Sequence, residues 1–466
     1  MSAGVASGGR GYASGGRGYA AAVRALEARG RFGIRLGLGR TRALLHELGD
    51  PQLAFRGALV AGTNGKGSVL ALAGGVLRAA GIRAGETPKP HLVTYRERLA
   101  IDGRPVDPST FARLVDEVMP AADRVARRLG EPTEFELLTA LIFRWFAEQG
   151  VRVALVEVGL GGRLDATHAW DGGVAVVTNV SLDHMDRLGS TVAAIAREKA
   201  AIIERGDLAV TGADGDALEV VRRRARRMAA PLREVPAAPL LGWDRDGIEV
   251  DLPRLGRTRV GLRGRHQAAN VAVADAVLDA LAEAGIATTD EEARRRGYAA
   301  ATWPGRLELL RAGDRDVLLD GAHNPAGAAA LALALDDLRP VLEGGSDAVP
   351  PPLTLVVASM ADKDVDGVIA GLLGTSALRG ARVVATSIEV PRALPAEALA
   401  GRWHALGGTA GIRDVQAVPD AGEAIDRAIS EARGPVVVAG SLYLVGVARG
   451  RLVDDPRLRD PEDDGE

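Results

Sequence analysis

The chain has no cysteine among its 466 residues, which excludes disulfides, thiolate metal sites and thiol redox chemistry. Aromatic residues make up only 3%. No apolar run approaches the roughly 20 residues that a bilayer-spanning helix needs, and the N-terminus lacks the apolar core of a signal peptide. A non-membrane, cytoplasmic protein is expected. The formal charge of -3 gives no electrostatic reason to expect nucleic acid. The local run Val221 to Arg227 reads as a solvated helix face.

Lysine is also nearly missing. Of the 58 basic residues only Lys66, Lys89, Lys199 and Lys363 are lysine. Arginine stays charged and cannot readily deprotonate, whereas lysine offers a compact ammonium or, once deprotonated, a nucleophilic amine. The four survivors are therefore candidates for chemistry that arginine cannot perform.

What is present is ordinary for a globular enzyme: 47% hydrophobic and 26% charged residues, in a chain long enough for two cores. Residues 1–18, with the repeat SGGRGYASGGRGYA, read as a low-complexity tail, and the acidic residues 454–466 as a disordered one. Residues 343–352, with their glycine and proline pairs, read as a surface loop. Short apolar strands at 58–61, 153–158, 174–178 and 208–211 alternate with helical patterns at 68–80, 135–148 and 191–204. That alternation predicts a parallel-rich α/β sheet. A second series, with strands at 317–320, 353–358, 382–386 and 435–439, predicts a smaller Rossmann-like domain. The Pro304-Gly305 pair marks the boundary, giving a first domain at 19–303 and a second at 304–453.

Gly62-Thr63-Asn64-Gly65-Lys66-Gly67-Ser68 lies between a strand and a helix. Backbone N–H groups and the helix N-terminus there suit a triphosphate, Lys66 adds a point charge, and Ser68 can offer a hydroxyl to magnesium. The loop is not a strict Walker A motif, because Val60 stands where the first glycine would be and Gly67 separates lysine from serine.

This loop resembles that of the Mur ligase superfamily, in particular the folylpolyglutamate and dihydrofolate synthases. The resemblance extends through Pro90-His91-Leu92, Glu134-Phe135-Glu136, the Glu157 to Thr167 block, Leu182-Asp183-His184, Arg197 to Ala200, Gly264 to Asn270, Pro304-Gly305-Arg306, Asp320 to Pro325 and Gly440 to Gly446. It implies an ATP-dependent ligase, acting as a monomer, that joins L-glutamate to dihydropteroate or a reduced folate through an acyl phosphate. By resemblance, Glu157, His184 and Ser68 would hold magnesium, and a carbamate on Lys199 would serve a second ion. Asn270, Arg306 and Asp320 would meet the nucleotide, and His323 and Ser441 would handle glutamate and the reacting carboxylate. His91, Phe135, Glu136, Gly162, Arg163 and Leu164 would line the acceptor pocket. Taken alone, His184 reads as a buried polar group, Lys199 as a helix-surface partner of Glu198, Lys363 as a contact to phosphate or to the first domain or else a surface ion pair, and Asn324-Pro325 as a helix start.

Two positions depart from the family pattern. Lys89 stands where a metal-binding serine is usual, and a protonated lysine cannot coordinate metal, so either Thr87 or a water takes the serine's place, or Lys89 contacts phosphate or the substrate carboxylate directly. His168 replaces an asparagine. Other readings are a cell-wall precursor ligase and a nucleotide-binding module without a product; the Glu157 to Thr167 block favours folate over the first, and the second domain argues against the other.

Overall fold

The computed structural model describes residues 17–30, 37–342, 351–408 and 411–461. Most of the expected N-terminal tail, the loop at 343–350 and residues 462–466 lie outside them.

The first sheet has eight strands: β1 Arg56–Ala61, β2 Ala84–Thr87, β3 Ala100–Ile101, β4 Arg104–Pro105, β5 Val153–Glu157, β6 Gly173–Val177, β7 Leu208–Thr211 and β8 Leu232–Glu234. Their spatial order is β4-β3-β2-β5-β1-β6-β7-β8. From β2 to β8 the pairing is parallel, and β3 and β4 extend one edge antiparallel. Strands β1 and β5 read as near-continuous apolar runs because helices cover both faces, and β5 is buried along its whole length. Two cores result, one on each face.

A three-stranded antiparallel sheet follows: β9 Leu240–Asp244, β10 Gly247–Leu252 and β11 Gly256–Val260. The second large sheet holds β12 Glu308–Ala312, β13 Arg315–Leu319, β14 Thr354–Val357, β15 Arg382–Ala385, β16 Asp414–Ala417 and β17 Val436–Ala439, in the order β12-β13-β17-β14-β15-β16. Only β12 runs antiparallel. It too has a core on each face.

Local signals set the helix starts near the site. Thr133 and Glu136 form a reciprocal capping box at the helix Glu134–Glu148. Asn324 caps the helix Pro325–Leu338, with proline at its first position. The arginine run lies on the helix Gly215–Met228, where Arg222 pairs with Glu219 and Glu234 and Arg224 donates to the carbonyls of Ile203 and Ala201. Among the described residues, no helix is long and apolar enough to cross a membrane.

The C-terminus corrects an expectation. Residues 454–461 are not a free acidic tail: Asp460 accepts from Arg96 and Thr94 of the first domain, because a buried guanidinium there needs a carboxylate.

Candidate active site

In open α/β sheets, ligands gather where strands end and the strand order reverses. Here β1 sits between β5 and β6, and the carboxyl ends of β1, β2, β5 and β6 lead into the phosphate loop, Lys89, Glu157 and the Thr178–His184 segment. In the second sheet, β13, β14 and β17 lead into Asp320–Asn324, Lys363 and Ser441. The two sets of ends meet through Asn64–Asn324 and Asp183–Lys363 contacts.

The phosphate loop is held open by backbone geometry. Gly65 caps the helix Lys66–Ala79 at φ +84°, and a Cβ there would lie 2.3 Å from Asn270 Oδ1. A Cβ on Gly67 would strike the Trp303 ring. The Asn64 N–H donates to Asn179 Oδ1 at 2.9 Å, and Thr178 Oγ1 donates to the Asn64 carbonyl at 2.7 Å. Thr63 Oγ1 exchanges hydrogen bonds with Ser181. Lys66 Nζ folds back onto the carbonyls of Gly62 and Thr63, both at 3.1 Å, and stands 3.8 Å from Glu157 Oε1. Ser68 is buried in the first turn of the helix, and its hydroxyl has no hydrogen-bond partner among the described residues.

Glu157, the last residue of β5, is fully enclosed. Burial pushes its carboxyl up, while the charges of Lys66, Lys89 and Arg306 oppose that shift. Lys89 Nζ donates to the Glu157 carbonyl at 2.6 Å, and its N–H donates to Glu157 Oε2. The ammonium lies 4.5 Å from the centre of the Phe135 ring, and burial lowers its pKa to about 8. Thr87 Oγ1 instead accepts the Glu157 N–H, which ties it between β2 and β5.

Lys199 is buried, not the exposed partner of Glu198, which pairs with Arg163. Its Nζ donates to the Gly62 carbonyl at 2.8 Å. Burial, and then the charge of Lys66, lowers its pKa to about 7. The Gly161-Gly162-Arg163-Leu164 turn packs on the same helix: a Cβ at Gly162 would lie 2.8 Å from the Glu198 carbonyl and 3.1 Å from that of Lys199. His168 Nδ1 is 3.2 Å from the Arg163 carbonyl, beneath that turn. Glu136 has both carboxylate oxygens engaged, by Thr133, Arg40 and Thr41, so it braces the wall of the expected pocket.

Asp183 joins the domains, and the sequence reading gave it no role. Lys363 Nζ donates to it at 2.7 Å and Asn324 Nδ2 at 3.3 Å, while His323 Nε2 lies 4.0 Å away. Asn324 also pairs with Asn64 of the phosphate loop at 3.2 Å. Lys363 is thus an inter-domain ion pair. His184 is 41% exposed rather than buried, takes a left-handed backbone at φ +49°, and lies 3.4 Å from Lys363.

Asp320 accepts from the N–H groups of Leu307 and Ala322, and burial raises its pKa against the charge of Arg306. Arg306 Nη1 donates to the Gly305 carbonyl, and Asn270 Nδ2 donates to Gln267. His323 Nδ1 is held 2.8 Å from the Gly321 carbonyl. Ser441 is buried and caps the helix Leu442–Leu452.

His91 accepts from Arg98 Nε at 2.8 Å and packs against Tyr95. Burial, then Arg98, lowers its pKa to about 3. The unfolded chain therefore binds a proton that the native state refuses between about pH 6.5 and 3, so stability falls as pH drops through that window. In His91→Asn, the acid limb of a denaturation-versus-pH curve is expected to be shallower there; an identical slope would contradict this account.

The site fits nucleotide and divalent metal. The loop presents backbone donors, and Ser68, Glu157 and His184 provide a hydroxyl, a carboxylate and an imidazole. Among the described residues, no three acidic or histidine groups converge to cage an ion.

Comparison with known proteins agrees with this geometry. Residues 60–278 match the Mur ligase middle domain, and residues 305–442 match the Mur ligase glutamate ligase domain. The dihydrofolate synthase/folylpolyglutamate synthase of Mycobacterium tuberculosis is 35% identical, over 90% of this chain and 91% of its own length. The crystal structure of that organism's folylpolyglutamate synthase with ADP and AMPPCP superposes with a TM-score of 0.82 at 34% identity, covering 94% of this chain and 100% of that one. The bifunctional enzyme of Yersinia pestis with AMPPNP and a manganese ion gives 0.76 at 29%, covering 94% and 98%. With both ligase domains matched in order and a full-length relative at that identity, the chain belongs to the dihydrofolate synthase/folylpolyglutamate synthase family and is a ligase that joins glutamate to folates using ATP.

Proposed function

We propose that residues 19–303 and 304–453 act as two domains that close on ATP, a folate-type acceptor and L-glutamate, with Lys66, Lys199, His323 and Ser441 as the reacting-site residues. The observation that carries this reading is the Asn64–Asn324 pair. It ties the phosphate loop directly to the second-domain turn that presents His323. Closure of this kind excludes water from an acyl phosphate. One chain supplies every group named, so the reading needs no second copy.

The acceptor carboxylate attacks the γ-phosphorus of ATP, forming an acyl phosphate and releasing ADP. Lys66 places its charge beside the transferring phosphoryl group, and the loop N–H groups hold the β- and γ-oxygens. Two magnesium ions, held by Ser68, Glu157, His184 and a carbamate on Lys199, would neutralise charge on the phosphates. The free amine of glutamate then attacks the activated carbonyl, an amide bond forms, and phosphate leaves. His323, held neutral with its pKa lowered to about 4 by burial, is assigned to glutamate, and the proton that the amine loses leaves with the phosphate.

The carbamate reading comes from the family resemblance and is supported by the chemistry of Lys199. Its lowered pKa leaves much of the amine unprotonated near neutral pH, and an unprotonated primary amine adds to carbon dioxide with loss of a proton. Arginine at this position could not. Lys89, on Phe135 and beside Glu157, and the Gly162-Arg163-Leu164 turn are assigned to the acceptor.

The test is phosphate release from ATP with magnesium and glutamate, comparing dihydropteroate, tetrahydrofolate and no acceptor, with products identified by mass. Release with dihydropteroate places the enzyme in folate synthesis, and further release with tetrahydrofolate makes it bifunctional. Release with neither defeats the folate reading.

A further inference from the structure

The loop between β2 and β3 carries Lys89 and His91. It is stapled internally: Glu97 accepts the N–H groups of Leu92, Val93 and Thr94, and Arg98 donates to His91. Its N-terminal end is fixed to the sheet through Lys89 and Glu157. Its far end is fixed by the C-terminus of the chain. Thr94 Oγ1 donates to Asp460 Oδ1 at 2.6 Å, Arg96 Nε donates to the same oxygen at 3.1 Å, and Arg96 Nη2 donates to the Arg459 carbonyl at 2.9 Å. Tyr19 OH shares a hydrogen bond with Thr94 Oγ1 from the other side. Arg96 is 3% exposed, and its third contact is the Val106 carbonyl. Asp460 is thus the carboxylate partner of a buried guanidinium, a pairing whose loss disturbs everything built on it. The same C-terminal segment begins where the helix Leu442–Leu452 ends, and Gly446 of that helix lies against the Leu92 carbonyl so closely that a Cβ would be 2.0 Å away.

We propose that residues 453–461 are a strap that fixes the acceptor loop, and that Asp460 is a positioning residue for the folate-type substrate, acting through Arg96 and Thr94. The inference rests on the reading that the Lys89–His91 loop meets the acceptor. The side-chain contacts of Asp460 are to Thr94 and Arg96, outside the residues assigned to substrate and nucleotide. Its removal frees one end of the loop, so acceptor binding weakens while the phosphate loop, held by Asn179 and Thr178, is untouched.

The experiment measures binding of dihydropteroate and of a non-hydrolysable ATP analogue to full-length Asp460→Ala, Asp460→Asn and Asp460→Glu, without turnover, alongside amide exchange at Leu92 to Thr94. For Asp460→Ala the acceptor Kd is expected to rise roughly tenfold, the effect of a loop left partly unfixed before it binds. The analogue Kd should stay within about twofold, and exchange at Leu92 to Thr94 should accelerate. Asp460→Glu should recover part of the affinity. An unchanged acceptor Kd overturns the inference, as does a parallel loss of both ligands. Should one variant fail to fold, the exchange and binding of Asp460→Asn decide. A wild-type chain that binds the analogue but neither dihydropteroate nor tetrahydrofolate overturns the folate reading itself, and the strap's role with it.

Discussion

Replacing Lys66 by alanine is expected to lower the rate of phosphate release about 10²- to 10³-fold, the scale set by removing one preorganised charge from a developing transition state. The variant should keep its fold. Lys66 lies part-buried at the helix start, and its two hydrogen bonds go to backbone carbonyls of its own turn. Melting temperature and activity should therefore separate: near-native unfolding with a collapsed kcat. Lys66→Arg should recover little, since a planar fork does not fit where a compact ammonium bridges two carbonyls beside Glu157. Single-turnover measurement with saturating ATP tests this directly; a kcat within tenfold of wild type would remove Lys66 from the chemical step.

Lys199→Arg is expected to be as damaging, although it preserves positive charge. If Lys199 works as an ammonium, arginine should retain much of the activity. If it works as a carbamate, activity should fall by at least about 10², because neither the anionic oxygens nor their ligand role can form. Lys199→Ala separates the two further, since a small added carboxylic acid can supply the missing anion and restore some turnover to alanine but not to the bulkier arginine. Stripping carbon dioxide from the wild-type assay should slow the enzyme, and bicarbonate should restore it. Indifference to bicarbonate together with an active Lys199→Arg would defeat the carbamate.

The strand–loop–helix around Lys66 was legible in the sequence because apolar runs, glycines and a helix pattern coincide within a few residues, and the two parallel sheets followed from the same alternation. The antiparallel β9–β11 sheet was not read, although Glu249 and Asp251 of β10 and Arg257 and Arg259 of β11 alternate with less polar residues as in a half-buried strand; the runs are short and lack the continuous apolar character of the parallel strands. Within the site, single residues with unusual chemistry were visible, but pairings between distant segments were not. Asp183 lies in the Leu182-Asp183-His184 block, but that block gave it no role: its role comes from Lys363 and Asn324, more than a hundred residues away. The Thr133–Glu136 capping box shows the opposite case, a local pattern that was present in the sequence and read as ligand binding. Asp460 was taken for part of a solvated acidic tail because composition cannot reveal that a buried arginine waits 364 residues earlier.

All four lysines lie at the same site. Lys66 exerts its charge on both Lys89 and Lys199, and Lys363 reaches across from the second domain to Asp183. The outer surface, rich in arginine, carries no primary amine on any side chain. An acylating reagent selective for amines would consequently pass over the whole exterior and, apart from the α-amino group, could react only at that site. Once the α-amino group is counted, acylation reports on the four lysines, and the protection that ATP or acceptor confers would map each ligand onto one of those positions.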